Sequence, residues 1–207
     1  MKVKICGITD IESALFSVEQ GADALGFVFA ESKRKASLEK AREIVEKLPK
    51  HVMKIGVFVN ESNKVIERII EQVGLTAIQL HGDESPEYCR TFTLPVIKAL
   101  RIGSKEDLDR IKEYDCDYVL LDSPKGKYYG GNGVKFDWSL LSDFSAGGKK
   151  IILAGGLNEG NIMEAVQTAK PFMVDVSSGV ETEGKKDFEK IKKFIRIAKR
   201  PLEEEVR

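Results

Sequence analysis

The sequence predicts a single-domain α/β protein folded as a (βα)8 TIM barrel of eight parallel strands. Three observations carry that expectation. Short apolar or β-branched runs alternate with amphipathic helical segments along the chain. Eight such units fit in about 200 residues, the short end of the barrel's size range. No linker or compositional break interrupts them, so residues 1–200 read as one domain and 201–207, PLEEEVR, as an exposed C-terminal tail. Strands that alternate with helices pair in parallel, and a parallel sheet needs helices to cover it. The rival arrangement is an open, doubly wound sheet.

The strand candidates are 3–8, 24–29, 54–59, 77–80, 96–100, 118–122, 150–154 and 172–176. Thr9 with Glu12 reads as a capping box opening the first helix, where Ile11, Ala14, Leu15 and Val18 share a face. Ser37 caps the second, which turns Leu38, Ala41, Val45 and Leu48 inward and ends before Pro49. Val65, Ile66, Ile69, Ile70 and Val73 mark the third, closed by Gly74. Ser85 and Pro86 open a short fourth, and Ser104 with Asp107 opens the fifth. Ile162, Ala165, Val166 and Ala169 lie in the seventh. The last helix spans 188–198, with Lys199 and Arg200 near its end and Pro201 beyond.

Composition narrows the function classes. Hydrophobic residues make up 42%, which fits a globular chain, and 33 basic residues balance 33 acidic ones. Such a balance builds no broad positive field for nucleic acid. No apolar run approaches the roughly 18 residues that cross a bilayer, and the start MKVKICG lacks a cleavable signal pattern. Cys6, Cys89 and Cys116 are odd in number and share no CxxC spacing, which points to a reducing cytoplasm rather than disulfides or a zinc site. Cys89 and Cys116 read as packing or surface residues. Abundant charge with few Asn and Gln suits an ion-pair-rich, thermostable protein.

Barrels place their chemistry at the C-terminal ends of the strands, here Cys6, Phe29, Asn60, His81, Arg101, Asp122, Gly155 and Ser177. LAGGLN brings Gly155 and Gly156 to the end of strand seven. DVSSGVE brings Ser177, Ser178 and Gly179 to the end of strand eight. Glycines let backbone approach a ligand, N–H groups near helix starts favour anions, and barrels often bind phosphate at these two loops. Ordinary turn glycines are the alternative. Neither loop matches GxxxxGK[ST], which disfavours a P-loop nucleotide site. Asp122, directly after YVLL, is either a partly desolvated general acid or a helix cap. Cys6 is either a reacting thiol or buried filler.

In combination, VKICGIT, GADALGFVF, GVFVN, AIQLHGDE, LLDS, GG followed by FDW, LAGGLN and VDVSSGVE resemble the phosphoribosylanthranilate isomerase family of tryptophan biosynthesis, in order from Val3 to Glu181. The resemblance implies a cofactor-free, metal-free Amadori rearrangement of a phosphorylated aminosugar. In it Asp122 protonates the ring oxygen as general acid, and Cys6, as thiolate, takes the proton from carbon 2. A thiol with an ordinary pKa of about 8.5 needs only a modest lowering for that task.

The resemblance also places Arg34 on the anthranilate carboxylate, against the alternative of a solvated basic cluster with Lys33 and Lys35. Gln79 and His81 share one side of strand four. His81 either lines the pocket or is structural, and Asp175 either meets a sugar hydroxyl or is structural. Residues 128–138, YYGGNGVKFDW, form a glycine-rich candidate cover containing Lys135. A histidine-pathway isomerase would carry aspartate where Cys6 stands. An indole-glycerol phosphate synthase would carry a lysine at the end of strand one. A non-catalytic phosphate-binding barrel would need neither Cys6 nor Asp122. The assembly expected is a monomer or homodimer, with no membrane or nucleic-acid partner.

Overall fold

The computed structural model describes residues 1–123, 138–141 and 146–200. Eight parallel strands close into a barrel in sequence order: β1 (Lys2–Cys6), β2 (Ala24–Val28), β3 (Met53–Phe58), β4 (Ala77–Leu80), β5 (Val96–Arg101), β6 (Tyr118–Asp122), β7 (Lys150–Leu153) and β8 (Met173–Val176). Closure is made by β8 against β1, with Val174 opposite Val3 and Val176 opposite Ile5. Continuous closure leaves no unpaired sheet edge, which excludes the open doubly wound sheet.

The first strand ends at Cys6 rather than at Ile8, and the cause is local. Gly7 has φ +79°, a conformation open to glycine, and it turns the chain out of the sheet. The N–H groups of Gly7 and Ile8 then both donate to Gly26 O, at 2.9 and 3.0 Å.

The helices are α1 (Ile11–Glu19), α2 (Leu38–Lys47), α3 (Asn63–Val73), α4 (Pro86–Cys89), α5 (Lys105–Asp109), α6 (Ile162–Ala169) and α7 (Phe188–Ala198). Between β6 and β7 the described residues hold a 3-10 turn, Trp138–Leu141, so the helix expected as the seventh is α6. Ser37 and Ser85 cap α2 and α4 as expected, accepting from the N–H groups of Lys40 and Tyr88 at 3.2 Å. The cap of α1 is Asp10, one residue after Thr9. Its carboxylate accepts from Ser13 N at 2.8 Å and from Ser13 Oγ at 2.9 Å, a stronger acceptor than a threonine hydroxyl. Gly74, at φ 78°, closes α3. After β8 come a 3-10 turn (Ser178–Val180) and a small antiparallel pair, β9 (Glu181–Thr182) and β10 (Lys185–Lys186).

Alternation along the strands divides the core. Val3 and Ile5 on β1, Leu25 and Phe27 on β2 and Ile78 and Leu80 on β4 face the helices, where they pack with Ile66, Ile191 and Phe194. A separate cluster, including Ala24, Ile55, Ala77, Leu120 and Met173, fills the barrel's axis. Toward the C-terminal ends this filling turns polar. Gln79 follows Ala77 on β4, Asp122 follows Leu120 on β6, and Asp175 follows Met173 on β8; all three are buried. Among the described residues, no helix is long and apolar enough to cross a membrane.

Candidate active site

A pocket of about 710 Å³ opens at the C-terminal mouth. It is lined by Cys6 from β1, Gln79 and His81 at β4, Asp122 from β6 and Asp175 from β8. Arg34 and the loops after β7 and β8 complete it. Phe29, Gly155, Gly156, Ser177 and Ser178 also lie on its wall. Of the other strand-end residues, Asn60 braces the neighbouring loop, with its side chain accepting from Asp83 N at 2.8 Å, and Arg101 pairs with Asp83 at 3.9 Å.

A chain of hydrogen bonds crosses the barrel beneath the mouth. Lys4, fully buried on β1, donates from Nζ to Gln79 Oε1 at 2.7 Å and to Asp175 Oδ2 at 3.0 Å. Gln79 Nε2 lies 2.8 Å from His81 Nδ1, and His81 Nε2 lies 3.1 Å from Asp122 Oδ2. These contacts fix the protonation pattern. An ammonium only donates, so Oε1 of Gln79 must face it and Nε2 must face His81. His81 Nδ1 is therefore the acceptor, and the neutral imidazole donates its Nε2–H to Asp122.

The loop that carries His81 is held from behind. Lys98 on β5 donates to Gly82 O at 2.8 Å and to Glu84 Oε2 at 2.7 Å, while Glu84 accepts from the N–H groups of Asn60 and Gly82.

The titration of both candidate proton carriers differs from the expectation. Burial pushes the Cys6 thiol up, and although Lys4 and Lys186 pull against it, the net shift is upward rather than modestly downward. Burial also pushes the Asp122 carboxyl up. There the hydrogen bonds from His81 and from the Ser123 N–H, the latter at 2.8 Å, outweigh it and leave the carboxyl below its ordinary value. Desolvation alone would raise Asp122, as its rim position suggests. For Lys4, burial lowers the ammonium's pKa, but Asp175 and Cys6 more than offset it, so the charge is kept.

Arg34 stands apart from Lys33 and Lys35. Its Nε and Nη2 donate to the two oxygens of Glu181, both at 2.7 Å, in a bidentate pair. Lys186 Nζ reaches the same carboxylate at 2.7 Å and Ser177 O at 3.0 Å. Gly7 makes room for the arginine: a Cβ there would stand 2.6 Å from Arg34 Cδ.

The loops after β7 and β8 are packed as one unit. A Cβ on Gly155 would come within 2.7 Å of Ser123 N and 3.1 Å of Asp122 Oδ1. A Cβ on Gly179 would fall 1.8 Å from Leu157 O. Gly179 is therefore the seam between the two loops and not part of the pocket wall, whereas Gly155, Gly156, Ser177 and Ser178 line it. Lys135 and residues 128–137 of the glycine-rich stretch lie outside the described residues, as does the tail 201–207. Trp138, which ends that stretch, is buried.

Sequence reasoning did not single out Lys4, Glu181 or Lys186 as site residues. Lys4 carried a usable signal, because a charge between outward-facing Val3 and Ile5 must point into the barrel. Glu181 and Lys186 carried none, since Arg34 lies 147 residues from Glu181 in sequence.

The fold and site define a (βα)8-barrel enzyme in which a thiol and a carboxyl share one pocket with an arginine and a glycine–serine wall. The family model described as N-(5'phosphoribosyl)anthranilate (PRA) isomerase matches residues 3–197. An N-(5'-phosphoribosyl)anthranilate isomerase of Bacillus cereus (strain AH187) is 60% identical over 200 residues, which cover 96% of this chain and 98% of that protein. The solved phosphoribosyl anthranilate isomerase of Thermotoga maritima superposes with a TM-score of 0.90 at 46% identity, covering 96% of this chain and 98% of that one. A solved isomerase in complex with reduced 1-(o-carboxyphenylamino)-1-deoxyribulose 5-phosphate gives 0.86 at 46% identity over the same shares. The chain belongs to the N-(5'-phosphoribosyl)anthranilate isomerase family. It is an isomerase of tryptophan biosynthesis, catalysing an aldose–ketose rearrangement.

Proposed function

We propose that Cys6 and Asp122 make the two proton transfers that convert N-(5'-phosphoribosyl)anthranilate to 1-(o-carboxyphenylamino)-1-deoxyribulose 5-phosphate. The observation that carries this reading is that both reach one pocket from β1 and β6, with Arg34 and the loops after β7 and β8 on its wall. Asp122 gives its proton to the ring oxygen as the bond from carbon 1 to that oxygen breaks and the nitrogen lone pair forms the imine. Cys6 as thiolate then takes the proton from carbon 2, leaving an enolamine. Its carbon-2 hydroxyl loses a proton and carbon 1 gains one as the ketone forms. The enzyme ends one proton richer at Cys6 and one poorer at Asp122, and exchange with solvent resets it.

Asp122 titrates low in the free enzyme, so its acid form is scarce at neutral pH. Substrate that fills the pocket and displaces water strengthens the desolvation that favours the protonated carboxyl.

Glu181 occupies the Nε–Nη2 edge of Arg34, which leaves the Nη1–Nη2 edge for the anthranilate carboxylate. Among the described residues Asp175 Oδ1 is buried without a hydrogen-bond partner while Oδ2 is held by Lys4, which suits an acceptor for a sugar hydroxyl. Gly155, Gly156, Ser177 and Ser178 receive the phosphate, with Gly179 setting the spacing of their loops. The chain works in the cytoplasm as a monomer or homodimer, which light scattering distinguishes.

Turnover is read from the loss of anthranilate fluorescence as freshly generated substrate is consumed. Wild type turns over, and Cys6→Ser and Asp122→Asn lose activity by factors on the order of 10² or more. Wild-type rates in Cys6→Ser would remove the thiol from the mechanism.

A further inference from the structure

Lys4 and Cys6 stand two apart on β1, so their side chains enter the barrel from the same side. Both lie against Gly26 of β2, where a Cβ would stand 2.7 Å from Cys6 Sγ and 3.1 Å from Lys4 Cε. The glycine is what lets the two side chains occupy this corner. Lys4 has no exposed surface, and two of its three donors are taken by Gln79 and Asp175, at 2.7 and 3.0 Å. Stability does not call for this arrangement. A buried ion pair is often no better than apolar residues of similar volume, and the same barrel fills its axis with Ala, Ile, Leu and Met elsewhere.

We propose that Lys4 is a positioning residue of the reaction, its ammonium being the fixed counter-charge against which the Cys6 thiol ionises inside the barrel. The proposal rests on the reading of Cys6 as the base. Among the described residues, charged groups that act on that thiol are Lys4 from β1, Asp175 from β8, Lys186 from β10 and Arg34 from the loop after β2. Arg34 and Lys186 both close onto Glu181, which neutralises much of their field. Among the described residues Lys4 pairs with one carboxylate, that of Asp175, and its attraction is the largest influence opposing burial at Cys6. Its position is also fixed, because Gln79 and Asp175 hold Nζ from β4 and β8. The ammonium therefore favours a thiolate without first having to reorganise.

The test reads the charge of Cys6 directly. Iodoacetamide alkylation of the full-length protein is followed across pH, and the peptide carrying Cys6 is quantified by mass spectrometry to separate it from Cys89 and Cys116. In Lys4→Met the midpoint moves up by about one pH unit, so that alkylation near neutrality slows about tenfold. Lys4→Arg, which keeps the charge, restores most of the rate. Asp175→Asn frees Lys4 from its competing anion and removes a like charge, so the midpoint moves down and alkylation speeds up about threefold or more. Opposite shifts in Lys4→Met and Asp175→Asn support the proposal; an unmoved midpoint in both overturns it. Should Lys4→Met fail to fold, Lys4→Gln takes its place, and a midpoint that stays or falls there overturns the proposal. Alkylation needs no turnover, so this result is independent of whether Cys6→Ser loses activity.

Discussion

Gly179→Ala tests how the loops after β7 and β8 are built. A methyl at this position would sit 1.8 Å from Leu157 O and 2.9 Å from Leu157 C, both backbone atoms. Ordinary carbon–oxygen contact is about 3.3 Å, near the separation at which even a weak C–H···O contact forms. The two loops must therefore separate by more than an ångström. Overpacking of this kind costs about 1–3 kcal/mol, or a fall in Tm of roughly 4–8 °C at about 2 kcal/mol in a chain of this size. The separation also spreads Gly155 and Gly156 from Ser177 and Ser178. A displacement near 1 Å can cost on the order of 10² in rate, so kcat/KM falls by that factor while Cys6 and Asp122 keep their places. Differential scanning calorimetry gives the first number and the fluorescence assay the second. A variant with wild-type Tm and wild-type kcat/KM would show that the loops do not meet at Leu157, and the account of Gly179 as their seam would fail.

Glu181 supplies a pH prediction: burial raises its carboxyl, but Arg34 and Lys186 outweigh burial and hold it below the ordinary 4.5. A depressed acid stabilises the fold above its unfolded value and loses that contribution as pH falls through the folded one. Urea midpoints of wild type should therefore drop more steeply below about pH 4.5 than those of Glu181→Gln, and parallel curves would contradict the pairing. Replacing His81 by leucine leaves burial at Asp122 opposed chiefly by Ser123, so the carboxyl should titrate above its ordinary value; carbon NMR of Asp122 against pH reads the change. Cys89 has its thiol pushed up to about 11 by burial, so it should resist alkylation at pH 8 in the native protein and react once urea unfolds it. Phe194, fully buried between α7 and the sheet, should cost about 3–5 kcal/mol when cut to alanine, read from denaturant melts.

The barrel was legible because each strand declares itself by a short apolar run between helix caps, and the site's location followed from the rule about strand ends. The errors were local or distant. Thr9 and Asp10 are both capping residue types, and only the backbone shows which one turns out of the helix. Cys6 and Asp122 were found by position, but their titration depends on Lys4 and His81. His81 lies 41 residues from Asp122, and the rim position of Asp122 gave no hint of that partner. Arg34 was found by resemblance, whereas its bidentate hold on Glu181 needed the closed barrel to become visible. Lys4 was readable from alternation alone, since Val3 and Ile5 fix which way it points.

That lysine has a consequence for assembly of the chain. Its two partners arrive from β4 and from β8, 75 and 171 residues later. Until the last strand docks beside the first, the ammonium of β1 has no carboxylate to meet, and a half-barrel would either leave it in water or bury it unpaired at a cost of several kcal/mol. Fragments ending before β8 should therefore stay loose around their first strand. In the folded chain the final strand is the one that brings Asp175 to Lys4 and closes the ring onto β1.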